Sequence, residues 1–480
     1  MGPVPSADDA IVADLRTRLA PNRVRAEPLE LSLYGHDASI VDGGHAAVVC
    51  FPLTTAEVQA CVRVARAHNR PFTARGAGTG LAGGAVPLGE PVVIVTTKMN
   101  EIVSVDAEQR VAWVQPGVIN LDLTRALAPY GLHFAPDPSS QQACSIGGNV
   151  ANNSGGPHCL AYGVTSAHVL AVEVVLPDGE VAMLGGFEPE PEGYDLRGVF
   201  VGSEGTMGVA TNVAVRLTPN PPAVRTLLVD FLSIDEAAGC VSAIIAAGLV
   251  PAALEMVTGG MIAAIEAFVH AGYPTDAAAV LLVELDGLDA LVESAVATVD
   301  TIARANGART VRVAADEAER QLLWKGRKSA FGAVARLAPD YYLHDTVVPR
   351  TRLVEVLRRV EEIAAAYGLE VLNVFHAGDG NLHPLLAFDA REPGVLERVH
   401  AAGDEIVMAS VEAGGVLSGE HGIGLEKRHL MPKLFSVDDL DAQARLRDAF
   451  DPDGYANPNK VLPSGSRCGD LQKIPPGVWV

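Results

Sequence analysis

The stretch Arg75–Pro87, RGAGTGLAGGAVP, decides how the first half of this chain is read. Successive glycines let backbone N–H groups crowd a ligand without interference from Cβ, an arrangement suited to a pyrophosphate. Gly78, Gly80 and Gly83 match the GxGxxG spacing of dinucleotide sites, but that site requires a helix to begin at the motif. Here Pro87 and Pro91 follow almost at once, and Val92–Thr97 has strand character. The segment reads strand–loop–strand, which argues against a nicotinamide Rossmann site, and no GxxxxGK[ST] loop occurs elsewhere. Read alone, an elaborate surface turn is the alternative.

Two further clusters lie downstream. Pro136–Gly163, PDPSSQQACSIGGNVANNSGGPHCLAYG, is nearly uncharged and rich in small and hydrogen-bonding residues. A long loop of this kind suits wrapping a ligand better than facing water. Val201–Val209, VGSEGTMGV, stands in front of a strand-like run. Each cluster alone is consistent with turn chemistry. Three in one half of the chain point to a large cofactor held mainly by backbone.

The rest of the sequence bounds the class. The chain has 480 residues, 49% hydrophobic and 20% charged, which is ordinary for a globular protein of two or three domains. A formal net charge of −22 argues against nucleic acid or an anionic membrane as partner, so an anionic ligand needs local donors. Cys50, Cys61, Cys144, Cys159, Cys240 and Cys468 form no CxxC, so zinc ribbons, thioredoxin-like pairs and ferredoxin-type clusters lack their spacing. Met1–Ala10 has no basic segment followed by an apolar one, so no signal peptide is read. The best membrane candidate, Ala237–Leu254, is interrupted by Gly239, Gly248 and Pro251 and falls short of about 20 strongly apolar residues. A cytoplasmic protein that is not integral to a membrane is expected.

Asp8–Ala20 is amphipathic, and Thr54 with Glu57 caps a helix predicted over Thr55–His68. Strands are predicted at Val92–Thr97, Ile102–Asp106, Val111–Gln115, Val169–Leu176 and Val181–Leu184, with Asp178-Gly179 turning the last pair into a hairpin. The strand Val209–Leu217 ends in TPNPP, Thr218–Pro222, where proline density marks the main domain boundary. Beyond it, strand-like runs alternate with Ala-rich helices such as Glu293–Ala305, Leu353–Tyr367 and Gly394–Ala413, an α+β pattern. The expected division is 1–220, 221–455 and an extended tail 456–480.

The order RGAGTGLAGG, SIGGNVANNSGGPHCLAYGVT, VGSEGTMGV, HAGDGNLHP, SGEHGIGLEKR and NPNKVLP resembles the vanillyl-alcohol oxidase / p-cresol methylhydroxylase flavoproteins. Within them it is similar to the branch of the glycolate oxidase catalytic subunit, D-lactate dehydrogenases and D-2-hydroxyglutarate dehydrogenase. The match runs roughly from Ala46 to Pro463. It implies a two-part FAD-binding domain and an α+β cap with an antiparallel sheet. It further implies that Arg75, Gly76, Ala77, Gly78, Thr79, Gly83 and Gly84 hold the FAD pyrophosphate. Pro138, Ser139, Ser145, Gly148, Asn149 and Asn152 would line the flavin and ribityl region, Glu204 and Gly205 the adenosine side. Lys460 would return to the flavin domain. His158 invites a covalent attachment, but this branch usually binds FAD non-covalently.

His376 and His383 flank a Gly-Asp-Gly-Asn turn, so both imidazoles can converge at a hairpin mouth. With Glu420 they would hold a divalent ion, Zn, Mn or Fe, with positions left for the hydroxyl and carboxylate of a 2-hydroxy acid. Structural histidines are the alternative on spacing alone; the resemblance favours ligands. In an extended chain Glu420 and His421 would point to opposite sides, leaving His421 to face substrate as general base. Arg327 matches a carboxylate-binding arginine of the relatives, or belongs to a solvated helix face with Lys325 and Lys328. Leu385 stands where the hydroxyglutarate branch has a polar Asn, and Tyr341–Asp345 lacks that branch's lysine, which favours glycolate or D-lactate. The implied activity is FAD-dependent oxidation of a small D-2-hydroxy acid to the 2-oxo acid. An external acceptor, whether quinone, iron–sulfur subunit, cytochrome or electron-transfer flavoprotein, would take the electrons, in a hetero-oligomer or a homodimer. The alternatives are a D-2-hydroxyglutarate dehydrogenase, an alkylglycerone-phosphate-synthase-like flavoenzyme and a non-catalytic FAD-binding subunit.

Overall fold

Thr54 accepts a hydrogen bond from the Glu57 N–H and starts the helix Thr55–Ala67, whose Val58, Cys61, Val62 and Ala65 are buried. This helix links the strands Val48–Cys50 and Phe72–Arg75, both parallel to Val92–Val95, which lies between them in a four-stranded sheet edged by Val24–Arg25. The N-terminal helix Ala7–Arg18 adds Ile11 and Leu15 to the same core. A second, five-stranded antiparallel sheet runs in the order Ile102–Asp106, Val111–Val114, Val209–Arg216, Val169–Val175, Val181–Gly185. Gly179, at φ +86°, closes the predicted hairpin. Leu123 and Leu127 of the helix Asn120–Leu127, with Ile146 and Val150 of Ile146–Asn152, cover this sheet. Each such side chain, fully buried, contributes roughly 1.5–3 kcal/mol.

This computed structural model describes residues 7–187 and 193–463; Cys468, residues 464–480 of the expected tail and residues 1–6 lie outside the described residues. The chain divides into two units. The first comprises the chain up to Ser154, Val164–Pro219, and the chain from Glu420 onward; the second comprises Gly155–Gly163 and Asn220–Gly419. The linear division expected from the sequence differs in two places. Gly155–Gly163 belongs to the second unit because its side chains are tied there, Tyr162 Oη to Asp286 and His158 Nε2 to Glu284. The chain re-enters the first unit at Glu420, ahead of residue 456, because Ile423 N–H donates to Glu204 and Leu425 N–H to the Ala82 carbonyl.

The second unit is built on a nine-stranded antiparallel sheet. Its central order is Thr310–Val313, Ala223–Phe231, Ala279–Gly287, Ala253–Thr258, Glu370–His376, with Pro384–Phe388 pairing the last of these and carrying Asp340–Leu343. The apolar run Ala237–Leu254 splits between the helix Ile234–Ala246 and the strand Ala253–Thr258. Among the described residues no helix is long and apolar enough to cross a membrane, and Cys50, Cys61, Cys144 and Cys240 are free thiols.

Candidate active site

In the first unit, the loop after Phe72–Arg75 reaches Val92–Val95 without a helix, as strand–loop–strand requires. A Cβ on Gly76 would lie 2.5 Å from Ser145 Oγ, so the loop that carries Gly76, Ala77, Gly78 and Thr79 meets the Ser145–Asn152 cluster as closely as backbone permits. Ser145 caps the helix Ile146–Asn152 by accepting from the Gly148 N–H. Asn149 is buried and spoken for within the protein, accepting from Asn120 Nδ2 and donating to Cys144 Sγ. Pro138 and Ser139 are half-buried. Arg75 is buried and its Nη1 has no hydrogen-bond partner among the described residues; burial lowers its pKa.

The returning segment after Glu420 is pinned to the same loops. Asn152 Nδ2 donates to the His421 carbonyl at 2.7 Å, and Glu204 accepts from Ile423 N–H at 2.7 Å. A Cβ on Gly422 would meet Glu204 Oε1 at 2.6 Å, and one on Gly424 would meet the Ala82 carbonyl at 2.0 Å, so this close approach is open only to glycine. Glu204 has φ +52° and is buried, and burial pushes its carboxyl up to about 7 against hydrogen bonds from Ile423 and Gly424. Gly205, at φ +75°, lies beside Asn457, whose Nδ2 donates to the Gly84 and Glu204 carbonyls. Lys460, fully buried, donates to the Gly83 and Val86 carbonyls. The structure thus directs Asn152, Glu204 and Lys460 at backbone of the first unit. Glu420 and His421 do not point to opposite sides: the chain bends there, and His421 Nε2 lies 3.8 Å from Glu420 Oε1.

In the second unit, His376 ends the strand Glu370–His376, and Asp379 holds the following turn through the Asn381 N–H. The hairpin brings His376 and His383 edge to face, ring centroids 5.0 Å apart, both buried. Their Nδ1 atoms face acceptors: both Glu255 oxygens at 2.8 and 2.9 Å for His376, the His344 carbonyl at 3.4 Å for His383. An acceptor at Nδ1 places the proton there and the lone pair on Nε2, the tautomer a metal ligand needs. Arg327 is buried, not solvated. The helix Glu317–Lys328 turns Arg320, Trp324 and Arg327 toward the sheet, where Arg320 and Trp324 bond Glu284 and Arg327 Nε bonds Glu255 at 2.7 Å. Lys325 is exposed. Burial would raise Glu255, but the charges and hydrogen bonds of His376 and Arg327 hold it below the usual carboxylate range.

Residues 46–185 match the FAD binding domain family, and residues 220–461 match the family described as FAD linked oxidases, C-terminal domain. The chain is 48% identical over 424 residues to the glycolate oxidase subunit GlcD of Escherichia coli (strain K12), spanning 88% of this chain and 85% of that protein. This chain belongs to the FAD-linked oxidase family. It is also 32% identical over 453 residues to a D-lactate dehydrogenase of Anaerostipes hadrus, covering 92% of this chain and 95% of that one. The solved structure of p-cresol methylhydroxylase with substrate bound shares its fold, with a TM-score of 0.82 at 18% identity over 96% of this chain and 98% of that one. The fold is therefore the two-domain, α+β FAD-binding fold of that flavoprotein family, and the chain is an FAD-linked oxidoreductase.

The residues of this FAD-linked oxidase suit the cofactor. Arg75 supplies a buried cation with an unpartnered Nη1, and Gly76 leaves the space against Ser145 that a side chain would fill. The donor set of the second unit suits a divalent ion, since His376 and His383 each turn Nδ1 to an acceptor, an arrangement in which the neutral ring presents Nε2 as a ligand. Two residues escaped sequence reading. Glu255 is the one carboxylate in the strand ALEMVT, a signal visible in the sequence but without an assignable partner. Asp345 accepts from Ser418 Oγ and the Gly419 N–H, holding the turn just before Glu420, and nothing local marked it.

Proposed function

We propose that this flavoenzyme oxidises a small D-2-hydroxy acid, glycolate or D-lactate, to the 2-oxo acid and passes the electrons to an external acceptor. The observation that carries this reading is the buried Arg327, which has an unpartnered Nη1 and shares Glu255 with His376, itself packed against His383. A guanidinium fork beside paired imidazoles matches a substrate with adjacent carboxylate and hydroxyl. Arg327 binds the carboxylate and offsets the unfavourable net charge of −22. His376, His383 and Glu420 would hold a divalent ion, which would supply a Lewis acid toward the hydroxyl. FAD, bound non-covalently, would supply the two-electron acceptor for the substrate α-hydrogen, transferred as hydride. His421 takes the hydroxyl proton, so the substrate loses one hydrogen from carbon together with two electrons and one proton from oxygen, and the C–OH becomes a carbonyl. Non-covalent FAD agrees with the engagement of His158 Nε2 by Glu284 and its packing against Trp324. The buried Leu385 and the lack of a lysine in Tyr341–Asp345 favour a monocarboxylate.

Anaerobic flavin reduction tests this reading with glycolate, D-lactate, L-lactate and D-2-hydroxyglutarate, beside metal analysis of the same protein. Bleaching by glycolate or D-lactate with a stoichiometric divalent ion is the expected result. Fastest reduction by D-2-hydroxyglutarate would show the substrate pocket misread, and no bleaching by any 2-hydroxy acid would refute the activity.

A further inference from the structure

Glu255 and His376 sit directly opposite one another in the antiparallel ladder of Ala253–Thr258 and Glu370–His376. Directly opposed residues share a face of the sheet, so the register itself delivers the carboxylate to the imidazole. The same face receives the helix Glu317–Lys328, which places Arg327 on the other side of that carboxylate. Four contacts result: His376 Nδ1 at 2.8 and 2.9 Å from the two oxygens, Arg327 Nε at 2.7 Å from Oε2, and Arg327 Nη2 at 2.6 Å from Oε2. Glu255 is fully buried, as is Arg327, so neither group exchanges these partners for water.

We propose that Glu255 is the positioning residue shared by the carboxylate-binding and metal-binding halves of the substrate site. The proposal rests on the reading of His376 as a metal ligand and Arg327 as the carboxylate fork. On the histidine, Glu255 accepts the Nδ1 proton, fixes the ring's rotation and leaves the lone pair on Nε2. On the arginine, it accepts from Nε, lies in ion-pair contact with Nη2 through the same oxygen, and leaves Nη1 for another acceptor. One carboxylate therefore sets the spacing between the two groups that grip a 2-hydroxy acid. A substitution here disturbs both grips without touching substrate.

The test compares the wild-type holoenzyme with Glu255→Gln and Glu255→Gln/Arg327→Gln. The double variant guards against misfolding, since it does not strand a buried guanidinium beside a neutral amide. A glutamine amide can donate to Nδ1, which favours the Nε2–H tautomer that cannot ligate. Zn²⁺ affinity is measured by competition with a chromophoric chelator, and FAD content is read in the same samples. Both variants should keep stoichiometric FAD and bind Zn²⁺ roughly 10–100-fold more weakly, while Arg327→Gln alone keeps Zn²⁺ affinity within about threefold of wild type. Glu255→Gln should also raise the KM for the 2-hydroxy acid more than a metal defect corrected by excess Zn²⁺ explains. Wild-type Zn²⁺ affinity in both glutamine variants overturns this role for Glu255 and leaves the metal site standing. A wild-type protein that binds no divalent ion overturns the metal reading itself, and this proposal with it.

Discussion

Glu204→Gln isolates one buried charge whose effect on stability has a definite sign. Burial raises the Glu204 carboxyl from 4.5 to about 7, opposed by hydrogen bonds from Ile423 and Gly424 and by the charges of Lys460 and Lys427. Between those two values the native state keeps a proton that the unfolded chain has released. Stability therefore falls as pH rises from about 4.5 to about 7, and the full cost persists above that window. A displacement from 4.5 to about 7 corresponds to on the order of 3 kcal/mol. The glutamine amide oxygen still accepts from the Ile423 N–H but carries no charge to bury. Urea unfolding of the FAD-loaded wild type and variant at matched pH between 4.5 and 8 should show the variant gaining on the wild type by about that amount. The difference should open within the window and stay flat above it. Two curves that remain parallel across the window would refute the reasoning, because Glu204 would then titrate alike in native and unfolded chains.

Lys460→Met leaves the Gly83 and Val86 carbonyls without their buried donor and should cost roughly 1–3 kcal/mol above pH 10.5, where the wild-type amine is neutral in both states, while at lower pH the variant also sheds the cost of burying the ammonium. Because burial lowers Lys460 from 10.5 to about 8, wild-type stability should rise between those pH values and the variant's should not; equal slopes in thermal unfolding would exclude the assignment. Thr54→Ala removes the cap of Thr55–Ala67 and should destabilise the first unit by about 1 kcal/mol in the same unfolding assay, with no change in flavin reduction rate.

Much of the fold was legible in the sequence because it depends on residues close along the chain. The strand–loop–strand reading of Arg75–Pro87 followed from two prolines and a valine run, and both strands are present. The capped helix, the Asp178-Gly179 hairpin and the turn between His376 and His383 obey rules of the same short range. Other features were not legible. The bend that puts Glu420 and His421 side by side depends on Gly422 and Gly424 being drawn against Glu204 and Ala82, far away in sequence. The transfer of Gly155–Gly163 to the second unit depends on Asp286 and Glu284.

The sequence by itself determined the cofactor class, the family and the residue types that carry the chemistry, because glycine spacing and the HAGDGNLH turn constrain backbone locally. Tertiary structure alone decided how those residues are aimed. Glu255 stands 121 residues from His376, and only the register of two strands makes them neighbours. Arg327 lies among Lys325 and Lys328 in sequence, and only the packing of its helix on the sheet separates a buried fork from the exposed charge beside it. Side-chain direction is set by which long-range contacts the chain closes, and a linear pattern does not contain those contacts.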